Sequence, residues 1–153
     1  MKTFKHIFLV LTICSFTFFA CKKDHDDPCI KAKKGLAMTG AQEVPAHQTA
    51  GHGKVDVSYN KCDKMLTFTI SWADLAGNPV GSHIHGTAPK GVNAPVLYNF
   101  TSSIPKTTSG TFTDSVKVDG ITIKEDSLLA GFYYLNIHTP KYPGGEIRAQ
   151  IEF

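Results

Sequence analysis

Between residues 35 and 153 apolar side chains recur at every second position, in short runs separated by turn residues. That period belongs to strands that bury one face. Val55, Val57 and Tyr59 alternate with Lys54, Asp56 and Ser58. After the turn Asn60-Lys61-Cys62-Asp63, Leu66, Phe68, Ile70 and Trp72 alternate with Thr67, Thr69 and Ser71. These two runs read as a hairpin whose hydroxyl residues face water and whose Phe68 and Trp72 anchor a core. Leu36, Met38 and Gly40 suggest an earlier strand, and residues 80–85, 96–100, 112–118 and 132–139 suggest four more. The last strand sets Ile147, Ala149, Ile151 and Phe153 against Glu146, Arg148, Gln150 and Glu152. Only residues 124–131 read as helix, with acidic residues early and Gly131 as the stop. About seven or eight strands with so little helix predict an all-β antiparallel Greek-key sandwich or flattened barrel with one short helix.

The start of the chain follows a different pattern. Residues 1–20 join a short basic stretch to an apolar run of 14 residues, 7–20. That run is too short to span a bilayer and suits the centre of a signal peptide. It ends at Ala20-Cys21, which resembles the lipobox of bacterial lipoproteins, where cleavage precedes a cysteine that then carries lipid; Phe18 and Phe19 depart from the preferred residues. A plain secretory signal or an uncleaved anchor is the competing reading. Residues 21–34 are expected to form the lipidated Cys21 and a polar tether, ahead of a domain at 35–153. The acidic cluster Asp24, Asp26 and Asp27 is similar to sorting signals that direct lipoproteins outward. The expected location is therefore the cell envelope, lipid-anchored to the outer membrane, either periplasmic or surface-exposed.

Cysteine usage agrees with that compartment. Of 4 cysteines, Cys14 leaves with the signal and Cys21 is acylated, so Cys29 and Cys62 remain as a pair expected to form a disulfide. Free thiols or metal ligation is the alternative, against which neither cysteine lies in a Cys-x-x-Cys spacing. The formal net charge of +3 is modest, and no stripe interleaves basic with aromatic residues, so a nucleic-acid partner has no support.

Two short stretches carry the candidate chemistry, Gly81-Ser82-His83-Ile84-His85-Gly86 and Asn136-Ile137-His138-Thr139. On a strand, positions i and i+2 share a face and lie about 7 Å apart, so His83 and His85 point the same way and can converge on one metal ion. Three imidazoles suit copper or zinc, with Glu43 or Glu146 as a carboxylate ligand or as a partner to an imidazole's outer nitrogen. The bland reading weighs about equally on spacing alone. In it the histidines are hydrogen-bonded polar positions, and Glu43, Asn136 and Arg148 pin loops to the sheet. Arg148 beside Glu146 and Glu152 reads as an exposed ion pair worth well under about 1 kcal/mol.

The run Leu36-Ala37-Met38-Thr39-Gly40-Ala41-Gln42-Glu43-Val44-Pro45 resembles the opening of the CHRD domain, named from chordin. The resemblance continues through Ser82-His83-Ile84-His85-Gly86, Gly91-Val92-Asn93-Ala94-Pro95-Val96 and Leu128-Leu129-Ala130-Gly131. Tyr134-Leu135-Asn136-Ile137-His138-Thr139 and Tyr142-Pro143-Gly144-Gly145-Glu146-Ile147-Arg148-Ala149-Gln150-Ile151 complete it over residues 35–153. It implies a β-fold and a small secreted or lipid-anchored protein, and it implies no biochemical mechanism. A weaker likeness runs to copper–zinc superoxide dismutase, where His83, His85 and His138 match a His-x-His pair and a later strand histidine. No bridging histidine and no zinc loop accompany them, since His47 and His52 lie in an upstream loop.

Three functions follow as expectations. The first is a lipid-anchored binding or structural module for an extracytoplasmic protein or glycan, holding one copper or zinc ion. The second is a metalloenzyme with dismutase-like chemistry, and the third a metal-free adhesion module. Tyr133, Tyr134 and Tyr142 offer either a stacking surface or caps for the core. No Ser-His-Asp or Cys-His arrangement has a motif context, so hydrolase chemistry has no support.

Overall fold

Alternating branched and aromatic residues produce eight strands in the computed structural model, which describes residues 27–153. They are β1 (Ile30–Thr39), β2 (His52–Asn60), β3 (Met65–Ala73), β4 (Gly81–Gly86), β5 (Val96–Asn99), β6 (Gly110–Lys117), β7 (Tyr133–Thr139) and β8 (Tyr142–Gln150). The one α-helix, α1 (Glu125–Leu129), links β6 to β7, and Gly40–Gln42 form a 3-10 turn after β1. The expected signal peptide and the expected lipidation site, Cys21, lie outside the described residues.

The strands form a single antiparallel sheet in the order β5-β4-β7-β8-β1-β2-β3-β6. Its two ends nearly meet, so the sheet is a flattened barrel. At that seam Tyr98 of β5 donates to Asp114 Oδ2 of β6 at 2.8 Å, and Phe100 stacks on Phe112 with centroids 5.6 Å apart. The β2–β3 hairpin has the expected register, with Asn60 opposite Met65 and His52 opposite Ala73. Inside lie Met38, Val55, Val57, Tyr59, Leu66, Phe68, Ile70, Ile84, Leu135, Ile137 and Ile147, all at most 2 % exposed. Each such side chain stabilises the fold by about 1.5–3 kcal/mol relative to exposure. Trp72 closes one end of this core and donates its indole N–H to the Thr107 carbonyl at 3.0 Å.

Three features differ from the sequence expectation. First, β1 begins at Ile30, so Ile30, Lys31, Ala32 and Lys33, assigned to the tether by their charge pattern, pair with β2. Cys29 and Cys62 form the expected disulfide just beyond that pairing, with Cα atoms 5.5 Å apart. Cross-linking over a separation of 33 residues stabilises the domain by about 3 kcal/mol through the unfolded chain. Second, Gly40 belongs to the 3-10 turn and not to the strand, which frees the chain after it to fold back over the barrel. Third, β8 does not alternate between core and water, because Gly145 to Gln150 are all buried. Arg148 is 1 % exposed and makes no salt bridge to Glu146 or Glu152; it donates to the Val92 carbonyl and to the side-chain oxygens of Asn93 and Gln150, and lies over an aromatic face.

Candidate metal centre

Strands β4 and β7 run antiparallel with Gly81 opposite His138, His83 opposite Asn136 and His85 opposite Tyr134. Ile84 and Ile137 enter the core, so His83, His85, Asn136 and His138 share the outer face of one strand pair. Gly81 leaves room there for both rings. A Cβ at position 81 would come within 3.1 Å of both the His83 and the His138 rings, so its absence lets the two imidazoles close together.

The three histidines each place a ligand nitrogen within 4.8 Å of the others. His83 Nδ1 lies 3.1 Å from His138 Nε2, and Asn136 Oδ1 lies 3.0 Å from His138 Nε2 and 3.1 Å from His85 Nε2. Ligands on a common tetrahedral ion at about 2.0–2.1 Å would be about 3.3 Å apart; the His83–His138 separation fits that already, while the wider imidazole pairs, up to 4.8 Å apart, have to close. The outer nitrogens are committed elsewhere. His85 Nδ1–H donates to the Ala94 carbonyl and His138 Nδ1–H to the Pro143 carbonyl, each at 2.9 Å. A neutral imidazole has one proton, so both rings turn an Nε2 lone pair inward, as metal-ligating histidines do.

Electrostatics keep the rings neutral. Burial, followed by the charges of His138 and His85, pushes the His83 imidazole down to about 4. Burial also lowers His85 and His138, against the hydrogen bonds from Ala94 and Pro143 that favour their charged forms. His85 is buried, and its ring stacks on Tyr134 with centroids 4.6 Å apart and planes 3° from parallel. The Arg148 guanidinium stands 3.4 Å over the same tyrosine ring. His83 and His138 are half-buried and form the side of the cluster nearer to solvent.

The remaining sequence-predicted residues surround this group without joining it. Glu43 is 5 % exposed and is not among the ligand atoms that converge. Its carboxyl lies near the Asn136 amide and the Arg148 charge; burial raises it to about 7 in spite of both. Its Oε1 has no hydrogen-bond partner in the protein. Gly145, at φ +125°, covers that oxygen so closely that any Cβ would collide with it. Glu146 serves the loops instead, accepting from Thr49 Oγ1 and Thr139 Oγ1 at 2.6 Å each and from the Ala76 amide at 2.9 Å. His47 stacks on Tyr142 at 4.5 Å, and exposed His52 sits 4.0 Å from Asp74, so neither enters the cluster. Tyr133 and Tyr134 are buried, and Tyr142 is half-buried with one face already stacked on His47. Asn136 is the residue that sequence reasoning placed among the loop pins and the fold puts in the cluster. Its signal was the Asn-Ile-His spacing, which repeats that of His83-Ile84-His85.

The family model of the CHRD domain matches residues 35–151. No curated protein and no solved structure matches the chain.

Proposed function

The chain belongs to the CHRD domain family, and from that premise we propose that it is a binding module of the cell envelope that holds one copper or zinc ion between His83, His85 and His138. It is anchored to the outer membrane by lipid on Cys21 and presents the domain to an extracytoplasmic protein or glycan. The observation that carries the metal reading is the anchoring of two outer nitrogens on the Ala94 and Pro143 carbonyls. It leaves two Nε2 lone pairs facing each other's neighbourhood with a third imidazole beside them. Neutral imidazole donors favour copper or zinc over magnesium or calcium, which take oxygen ligands. A two-ion redox centre has no second set of ligands among the described residues, where the cluster comprises these three histidines.

Metal analysis tests this directly. The purified protein, incubated with Cu²⁺ or Zn²⁺ and then desalted, is expected to retain about one equivalent. His83→Ala and His138→Ala should both lose it while keeping the wild-type circular dichroism. Absence of either ion from the loaded wild type removes the metal reading and the enzyme reading together, and leaves a metal-free adhesion module.

A further inference from the structure

The three histidines do not complete the arrangement of atoms at their centre. Asn136 Oδ1 lies 3.0 Å and 3.1 Å from the Nε2 atoms of His138 and His85. Both those rings have already placed their proton on Nδ1, against Pro143 and Ala94. His83 Nδ1 can donate to His138 Nε2 across 3.1 Å. No proton remains for the contact between His85 Nε2 and Asn136 Oδ1, which sets one lone pair against another. Buried acceptors so placed require a donor or a cation. Turning the amide over would aim its NH₂ at the imidazoles, but would bring its oxygen against the Glu43 carboxyl instead.

Asn136 is also held rigidly. It is 2 % exposed, its neighbours Leu135 and Ile137 are fixed in the core, and it pairs with both His83 of β4 and Arg148 of β8. A short amide on a central strand has little freedom to leave the cluster, in contrast to a loop side chain.

We propose that Asn136 Oδ1 is the fourth ligand of the metal held by His83, His85 and His138, which makes the site a closed tetrahedral set of three imidazoles and one amide oxygen. The inference rests on the metal reading above and sharpens it, because a closed set holds an ion in place and leaves no position for a substrate. All four ligands are neutral, so the bound ion keeps its full charge, with the Glu43 carboxyl beside Asn136 to balance it.

Cobalt(II) absorption and zinc competition on the full chain test the assignment. Wild-type protein loaded with Co²⁺ should show the intense d–d bands of a tetrahedral four-coordinate ion. Asn136→Ala should weaken Zn²⁺ binding by about 10–100-fold and alter those bands, since water must replace the amide. Asn136→Asp, which keeps an oxygen at the same place and adds a charge, should bind Zn²⁺ at least as tightly as the wild type and keep the tetrahedral spectrum. Should Asn136→Ala fail to fold, Asn136→Cys decides in its place: a side chain that reaches the ion adds a sulfur-to-Co²⁺ charge-transfer band in the near ultraviolet, and its absence with Co²⁺ bound overturns the fourth ligand. Metal bound by the wild type with affinity and spectrum unchanged in Asn136→Ala overturns the fourth ligand and leaves the three-histidine site standing. A wild type that takes up neither Zn²⁺ nor Co²⁺ overturns both.

Discussion

On the outer face of β3 and β6, Thr67 meets Ser115 and Thr69 meets Thr113 at 2.8 Å in a hydroxyl ladder open to water. On the outer face of β7 and β8, Tyr134, Asn136, Glu146, Arg148 and Gln150 are buried, each at most 3 % exposed. Both faces arise from polar residues alternating with core residues. The difference is what lies above them. The 3-10 turn and the loop that follows bring Glu43 and Thr49 over β8, and the loop between β4 and β5 lays the Val92 and Ala94 carbonyls over Arg148 and His85. One half of the barrel therefore faces solvent in the ordinary manner of an antiparallel sheet, while the other carries a dry polar layer with the histidine cluster at its edge. A dry polar layer has to be satisfied internally. This one is, except at Glu43 Oε1 and around Asn136.

The largest effect expected from that contrast is at Glu146. Glu146→Ala leaves the buried Thr139 hydroxyl, the half-buried Thr49 hydroxyl and the Ala76 amide without their acceptor. A loss of about 2–4 kcal/mol in denaturant unfolding is expected. A loss below about 1 kcal/mol would mean that water reaches this layer as freely as it reaches the threonine ladder.

Titration of Glu43 gives the next effect. Its carboxyl is raised from 4.5 to about 7 in the fold, so it binds a proton more readily folded than unfolded. Its contribution is full below about pH 4.5 and is lost as pH rises through about 7, a change on the order of 3 kcal/mol. Histidines lowered by burial act in the opposite direction: their contribution is present above their ordinary value of 6.5 and is lost as pH falls, for His83 through about 4. Glu43→Gln removes only the first of these. Measured in chelator, the variant should gain stability relative to the wild type from about pH 5 to 8, and should keep the loss on the acid side. A flat difference across that range would show that Glu43 is hydrated and that the layer is open.

The solvated face supplies the smallest effect. Thr69→Val removes one exposed rung of the ladder and should change stability by less than about 0.5 kcal/mol in the same assay. A cost approaching that of Glu146→Ala would erase the distinction between the two faces.

Much of this was legible in the chain. The period-two runs identify the core residues of β2, β3 and β7, because alternation states which face of a strand is apolar. The disulfide followed from the parity of the cysteines, and the shared face of His83 and His85 from their spacing. Arg148 was not legible as a buried residue. Nor was the place of Glu43 behind Asn136, or that of Asn136 among the imidazoles.

By itself, then, the sequence determined the strands, their inward faces, the family and the three histidines, since each depends on neighbours close along the chain. Only the tertiary structure decided which polar face would be dry. That outcome depends on loops folding over strands nearly a hundred residues away, as Thr49 does over Glu146 at a separation of 97. Local alternation records that a side chain points away from the core, and carries no information about whether water or another part of the chain will meet it there.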